Sequence, residues 1–297
     1  MRIGVVLRMI EGPPTGGRPV PRWEHMRAQA RAAETAGFDI VTIADAISEN
    51  GRGYWEGMTL AGALAAATST IGIAHSVVNA PCREPAVVAR AADTLDEISG
   101  GRYTLGIGAG NTSDDYGRFS MDAYPRFSRF GEALEVIASL LRTGTVDFDG
   151  AFEHAHADWW SPRGPRPLGP PLVVAAGGPK MVALTARLAD GWNWWADAGG
   201  TSDHLPPIVE QLERACAERG RDDLERSIDM YSFDPLGLLE DRPAGVASGT
   251  AEEMAEPILR LTDLGIDEVR IEVHADPPRL AEATLAMTDV VGLVHSA

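Results

Sequence analysis

The chain predicts a (β/α)8 TIM barrel, an α/β fold, and three observations carry that expectation. Eight strand-like runs alternate with segments of helical spacing. The runs are short and apolar, as in parallel strands buried on both faces. No shift in composition divides the 297 residues into parts. An open doubly wound sheet usually has fewer units and a visible split into halves. The expectation is therefore one domain over residues 1–297, with 44% apolar residues to fill its core. Its functional site should lie where strands end and βα loops begin.

The elements follow in order. "IGVVLRM" (3 to 9) reads as the first strand, and a Gly/Pro loop leads to a helix near 22–36. There Ala28, Ala32 and Ala36 recur at helical spacing before a stop at Gly37. "FDIVTIAD" is the second strand, and a helix of small residues runs from about Glu56 to Ser69. "IGIAHSVV" precedes a helix from Glu84 to Ile98, with Pro85 where a first turn tolerates it and Ser99-Gly100-Gly101 as its end. The fourth strand opens "RYTLGIGAGNTSDDY", and its helix spans about Phe127 to Leu141. Periodicity then lapses from 143 to 171, which reads as an irregular insertion after the fourth helix with room for a hairpin around Gly150. The alternation resumes with "PLVVAAG", "PKMVALTARLAD", "GWNWWAD", a helix from Asp203 to Arg219, "RSIDMYSFD", "AEEMAEPILRLTDLG", "DEVRIEVH" and a last helix from Pro278 to Val291.

Charge and cysteines narrow the function. Forty-three acidic against 26 basic residues give a formal charge of −17, which disfavours nucleic acid and anionic membranes as partners. An anionic small molecule must then be met by local groups. Cys82 and Cys216 lie far apart with no C-x-x-C pair, which suits a reduced cytoplasmic protein and no metal centre. "MRIGVVLRMI" is too interrupted by Arg2 and Arg8 for a signal peptide, and no run approaches the ~18 apolar residues of a membrane span. "HAH" at His154 and His156 with Asp158 is a poor tetrahedral set.

Gly106, Gly108 and Gly110 admit several readings. A Walker loop needs a following Lys and hydroxyl, and these glycines have neither. A Rossmann fingerprint needs G-x-G-x-x-G opening a helix after the first strand, whereas here G-x-G-x-G closes a fourth strand. Two readings stand: a strand exit that lets a flat ring system lie against the chain, or a plain tight exit. A second site, Gly177, Gly178, Pro179, Lys180 and Met181, sets free amides and a positive helix end together. Ordinary helix entry is its plainer reading. Arg126 and Arg129 either assist an anion there or are solvated.

Taken together, "HSVVNAPCREPAVVARAADTLDEISGGRYTLGIGAGN" and "PPLVVAAGGPKMVALTARLADGWNWW" resemble the bacterial luciferase-like flavin and deazaflavin oxidoreductases. The resemblance runs from Met1 to about Trp195 and then more loosely to "DEVRIEV". It implies a barrel that holds coenzyme F420 or reduced FMN at the strand ends, a small-molecule substrate, and a homodimer. By position it implies a non-proline cis peptide at Ser76 and Val77. Ala109, Gly110 and Asn111 would line the cofactor side chain, and Gly177 to Met181 would cradle its phosphate. "GGPK" with "LADGW" is more similar to the F420 branch, which moves hydride and does not activate oxygen. An FMN-dependent monooxygenase and a non-catalytic binding barrel are the alternatives.

Members of that family often carry Asp-His or Glu-His after the second strand, and here Asp45 is followed by Ala46. Asp45 remains a candidate for contact with cofactor or substrate, or a helix cap. His75 is the other candidate for proton transfer, since an imidazole titrates near neutrality. A bonded interior histidine is equally consistent with its position, and His274 is a weaker candidate. Asn79, Trp55, Trp194 and Trp195 are expected to wall a substrate pocket. The loop from 109 to 126 is long enough to fold over it as a lid.

Overall fold

The computed structural model describes residues 1–7, 9, 22–49, 52–110, 115–121, 123–158, 164–196, 203–239 and 245–297. Eight parallel strands pair in chain order: β1 (Arg2–Val6), β2 (Ile40–Ile43), β3 (Gly72–His75), β4 (Tyr103–Gly108), β5 (Leu172–Ala175), β6 (Gly191–Trp195), β7 (Glu225–Phe233) and β8 (Glu268–Val273). β8 pairs with β1 through Val5↔Ile271, and β4 with β5 through Leu172↔Leu105 and Val174↔Ile107. The sheet therefore closes into a barrel with no free edge, as the alternation predicts.

The helices pack outside in sequence: α1 (Trp23–Ala36), α2 (Gly57–Ala67), α3 (Pro85–Ser99), α4 (Arg126–Thr143), α5 (Pro179–Leu188), α6 (Leu205–Ala217), α7 (Ala251–Leu259), α8 (Leu280–Leu285) and α9 (Thr288–Ser296). Their ends follow local chemistry. Gly37 and Gly100 take the left-handed conformation (φ +86° and +65°) and close α1 and α3 by donating to carbonyls of the last turn. Pro85 sits at the first position of α3, and Thr250 with Glu253 forms a reciprocal capping box on α7.

Several local expectations change. On α1, Ala32 and Ala36 are buried together with Met26, Gln29, Ala30 and Ala33, while Ala28 is exposed. Alanines recur on several faces of that helix, so Met26 and the sheet beneath it decide the phase. The single helix expected over 278–291 is two, α8 and α9. The region from 143 to 171 does hold a hairpin, Val146–Asp149 against His154–Ala157, turning at Gly150. Glu132 of α4 fixes that turn by accepting from the amides of Ala151, Phe152 and Glu153 at 2.7–3.0 Å. A short hairpin, Ser48–Glu49 with Arg52–Gly53, gave no signal in the sequence.

Candidate active site

At the carboxyl ends of β2 to β6 the barrel opens into a cavity of about 850 Å³. Its lining comes from Ala44 to Ala46, Tyr54, Ser76 to Asn79, Gly108 to Gly110, Arg126, Phe127, Ala175 to Met181 and Trp194. Twelve predicted residues meet here: Asp45, Ser76, Val77, Asn79, Ala109, Gly110, Gly177, Gly178, Pro179, Lys180, Met181 and Trp194. Asn111 lies outside the described residues. The face matches the site position of (β/α)8 enzymes.

The floor forms where β3 stops. The Ser76-Val77 peptide is cis, and Val78 and Asn79 then pair again with β4 at Ile107 and Gly108. The glycines of β4 answer this path. A Cβ on Gly106 would lie 1.9 Å from the His75 carbonyl oxygen, and one on Gly108 would lie 2.9 Å from the Val77 side chain. Gly106 therefore makes room for neighbouring main chain and not for a ring. At Gly110, φ is +76° and a Cβ would meet the Tyr116 hydroxyl at 2.1 Å. That hydroxyl donates to the Asn79 side chain at 2.8 Å, tying the end of β4 to the far side of the floor.

Asp45 is occupied. Its carboxylate holds the Arg83 guanidinium in a two-pronged ion pair and accepts from the Asn79 amide at 2.8 Å, with its side chain only 3% exposed. Arg83 also grips Glu56, which caps α2 by accepting from the amides of Met58 and Thr59. Burial works against the Glu56 carboxylate, but its bonds from Thr59 and Arg83 outweigh that and hold it at about 2. Asp45 is thus an anchor for the cavity wall, its carboxylate committed to Arg83 and the Asn79 main chain. Gly57 is part of the same fit, since a Cβ there would lie 2.9 Å from Asp45 Oδ1 and 3.0 Å from His75 Nε2.

His75 lies behind the floor. It is fully buried, absent from the cavity lining, and its Nδ1 meets the Tyr103 hydroxyl at 2.8 Å. Burial drives its pKa down to about 4, against an opposing pull from Asp45. The imidazole is neutral at neutral pH and out of reach of a ligand, so the expectation of a general acid there fails. Its strand position carried no information on which way the ring turns.

The other end of the cavity is built for an anion. Gly178 is the N-cap of α5, with open space where a Cβ would stand. Pro179 occupies the first turn, so the free amides of that turn point out of the helix end beside Lys180. Arg126, at the start of α4, lines the same cavity, and its Nε is buried without a hydrogen-bond partner. Gly177 is required for packing, as a Cβ would sit 2.3 Å from the Trp194 ring.

The aromatic wall is Tyr54, Phe127 and Trp194. Trp55 does not line the cavity. Trp195 stacks on Trp194 at 6.4 Å between ring centroids and stands 52% exposed beside the mouth. Trp192 is core, its indole nitrogen donating to Ala176 at 2.6 Å. Sequence reasoning missed Arg83, Tyr54 and Phe127. Arg83 sits in "PCREP", which reads as loop punctuation, and only the pairing of three separate segments reveals its role.

A closed (β/α)8 barrel with a cofactor-sized cavity, a cis peptide in its floor and a cationic helix end defines a class of flavin- or deazaflavin-using oxidoreductase. The chain belongs to the luciferase-like monooxygenase family, whose model matches residues 1–233. An F420-dependent glucose-6-phosphate dehydrogenase from Beutenbergia cavernae is 32% identical over 234 residues, 74% of this chain and 68% of that protein. Among solved structures, the monooxygenase RslO1 from Streptomyces bottropensis superposes with TM-score 0.83 at 19% identity, covering 100% of both chains. An F420-dependent secondary alcohol dehydrogenase gives 0.76 at 18% identity, covering 97% of this chain and 98% of that one. At those identities the two structures speak to the fold.

Proposed function

We propose that this protein passes a hydride between coenzyme F420 and a small organic substrate. The observation that carries the reading is the cavity's cationic end: the open N-terminus of α5 at Gly178, Lys180, and the unpartnered Nε of Arg126, in a chain of net charge −17. The residues fit the group. About 850 Å³ falls within the ~300–1,000 Å³ usual for cofactor and ligand sites, and much of the remaining lining is apolar or aromatic. Gly177 to Met181 with Arg126 would hold the phosphate, Val77 and Ala109 would face the ring, and Tyr54, Phe127 and Trp194 would enclose the substrate. When bound, the deazaflavin supplies two-electron hydride chemistry without oxygen activation.

The choice of F420 over FMN draws on the relative from Beutenbergia cavernae, which is named as F420-dependent. The description of the matching family as luciferase-like monooxygenase keeps an FMN-dependent monooxygenase as the second reading. Titration of the purified protein with F420, FMN and riboflavin, followed by fluorescence quenching, separates them. F420 should bind at micromolar or tighter concentration, and FMN should bind no better than riboflavin. FMN binding with no response to F420 would sink the proposal.

A further inference from the structure

Beneath the cavity floor a file of polar side chains runs along the barrel axis. The Ser76 hydroxyl, which lines the cavity, donates to Asp229 Oδ2 on β7. Asp229 is cross-strand neighbour to Arg270 of β8 and faces it at 3.7 Å, too far for a hydrogen bond. Asp229 Oδ1 and Arg270 Nη1 are both buried without hydrogen-bond partners. Arg270 bonds Glu268 at 2.6 Å, and Glu268 meets Arg2 at 2.9 Å at the opposite end of the barrel. Nothing in the proposed reaction uses this file; the Asp229 side chain is 26% exposed, its Oδ1 and the Arg270 guanidinium beside it are buried, and a buried charge is costly unless its partners define it.

A serine hydroxyl has one hydrogen to give. The Ser76 amide is also committed, to the Ile43 carbonyl at 2.9 Å. With its hydrogen on Asp229, Ser76 Oγ can meet a ligand in the cavity only through an oxygen lone pair. We propose that the Ser76–Asp229 pair makes the cavity floor selective for a hydrogen-bond donor, an N–H or O–H on the ring or substrate seated over Ser76. The inference rests on the cavity holding a flavin or deazaflavin, as read above.

The pair is also a switch in polarity. The groups facing Asp229 are Arg270 and Glu268 from β8, Asn193 from β6 and Ser76 beyond β3. Burial raises the Asp229 carboxyl, while Arg270, Ser76 and Asn193 oppose the rise. Once protonated, Asp229 can donate to Ser76 Oγ, and the Ser76 hydrogen is released toward the cavity. The floor then offers a donor where it had offered an acceptor.

Quenching titrations with F420 and FMN, run from neutral pH down through the acid range over which the protein stays folded, test this. The wild type should lose about tenfold in affinity as the pH falls, the worth of one hydrogen bond. Asp229→Asn should bind about tenfold more weakly at every pH, because its oxygen is drawn to Arg270 and its NH2 is left to donate to Ser76. Ser76→Ala should be equally weak and equally flat. A wild-type pH profile that survives in Ser76→Ala overturns the inference, as does Asp229→Asn binding with wild-type affinity at the high end. If Asp229→Asn does not fold, Ser76→Ala decides alone. Binding of F420 with no effect of these variants overturns the inference and leaves the functional reading intact. No binding by either cofactor overturns both.

Discussion

Replacing Gly106 by alanine tests the account of the cavity floor most directly. The added Cβ would stand 1.9 Å from the His75 carbonyl oxygen and 3.0 Å from its carbon, against about 3.5 Å for an ordinary contact. The neighbour is main chain, so no rotamer relieves the overlap. Either β4 or the segment from His75 to Val77 must move by on the order of 1 Å or more. β4 is pinned on its other side by Val173↔Gly106 and Val174↔Ile107. Overpacking of this kind costs about 1–3 kcal/mol, and a rigid neighbour places it at the upper end. For a chain this long, about 3 kcal/mol lowers the melting temperature by roughly 5 °C. Urea unfolding and thermal melting measure the loss, with Gly117→Ala as control, since a Cβ there meets nothing within 4 Å. Cofactor titration should show weaker binding in Gly106→Ala because the floor has shifted. If that variant unfolds within about 0.5 kcal/mol of wild type and binds normally, the glycine is not there to admit main chain. The reading of a glycine that faces the ring would then return.

Other parts of the site give further tests. His75 is neutral in the fold, with a pKa near 4 against 6.5 when unfolded, so its contribution is complete above 6.5 and is lost as the pH falls toward 4. That loss is about 3 kcal/mol, and His75→Gln, which keeps a side-chain partner for Tyr103, should remove it from urea midpoints compared between pH 7 and pH 4. Arg83→Met strands the Asp45 carboxylate, which should cost about 3–5 kcal/mol in urea unfolding at neutral pH. A variant as stable as wild type would refute the anchor role. Lys180 is the only lysine in the chain. Lys180→Ala should weaken cofactor binding about tenfold and flatten its salt dependence, with unchanged melting because the side chain is exposed. Bound cofactor should slow acetylation of Lys180 as followed by mass spectrometry.

The barrel was legible in the sequence because its signal is repeated. Eight apolar runs and eight helical segments each add to one inference, and an error of phase such as that at Ala28 does not disturb the count. The helix start at Gly178 and Pro179 was legible for a different reason. Glycine, proline and lysine at a helix start act through the backbone, and backbone geometry at a cap is local. The Asp45 to Arg83 anchor was not, because it joins residues 38 apart across two βα loops, with Glu56 from a third segment. His75 failed for a related reason: four strand residues, all apolar or small around it, do not say whether the imidazole meets the cavity or a buried tyrosine. The β4 glycines sit between these cases. Their number suggested close approach, but only the path of the neighbouring strand identifies what approaches.

The Asp45 anchor also bears on where protons can be held. The resemblance implied an imidazole after the second strand, and Ala46 lines the cavity at that place. Asp45 is locked to Arg83, and His75 is sealed below the floor. Among the described lining residues, the neutral hydroxyls are then Tyr54 and Ser76. A phenol titrates near 10 and a serine far higher, so neither exchanges a proton readily at neutral pH unless something beyond it titrates. Ser76 is bonded to Asp229, a carboxyl displaced upward by its own burial. The polar file in the barrel thus reaches the cavity at a hydroxyl, in a site whose two expected acid–base groups are otherwise engaged. A substrate reaction that needs a proton near the ring would depend on Asp229 through Ser76, and one that needs none would proceed unchanged in Ser76→Ala once the loss in cofactor affinity is overcome by concentration.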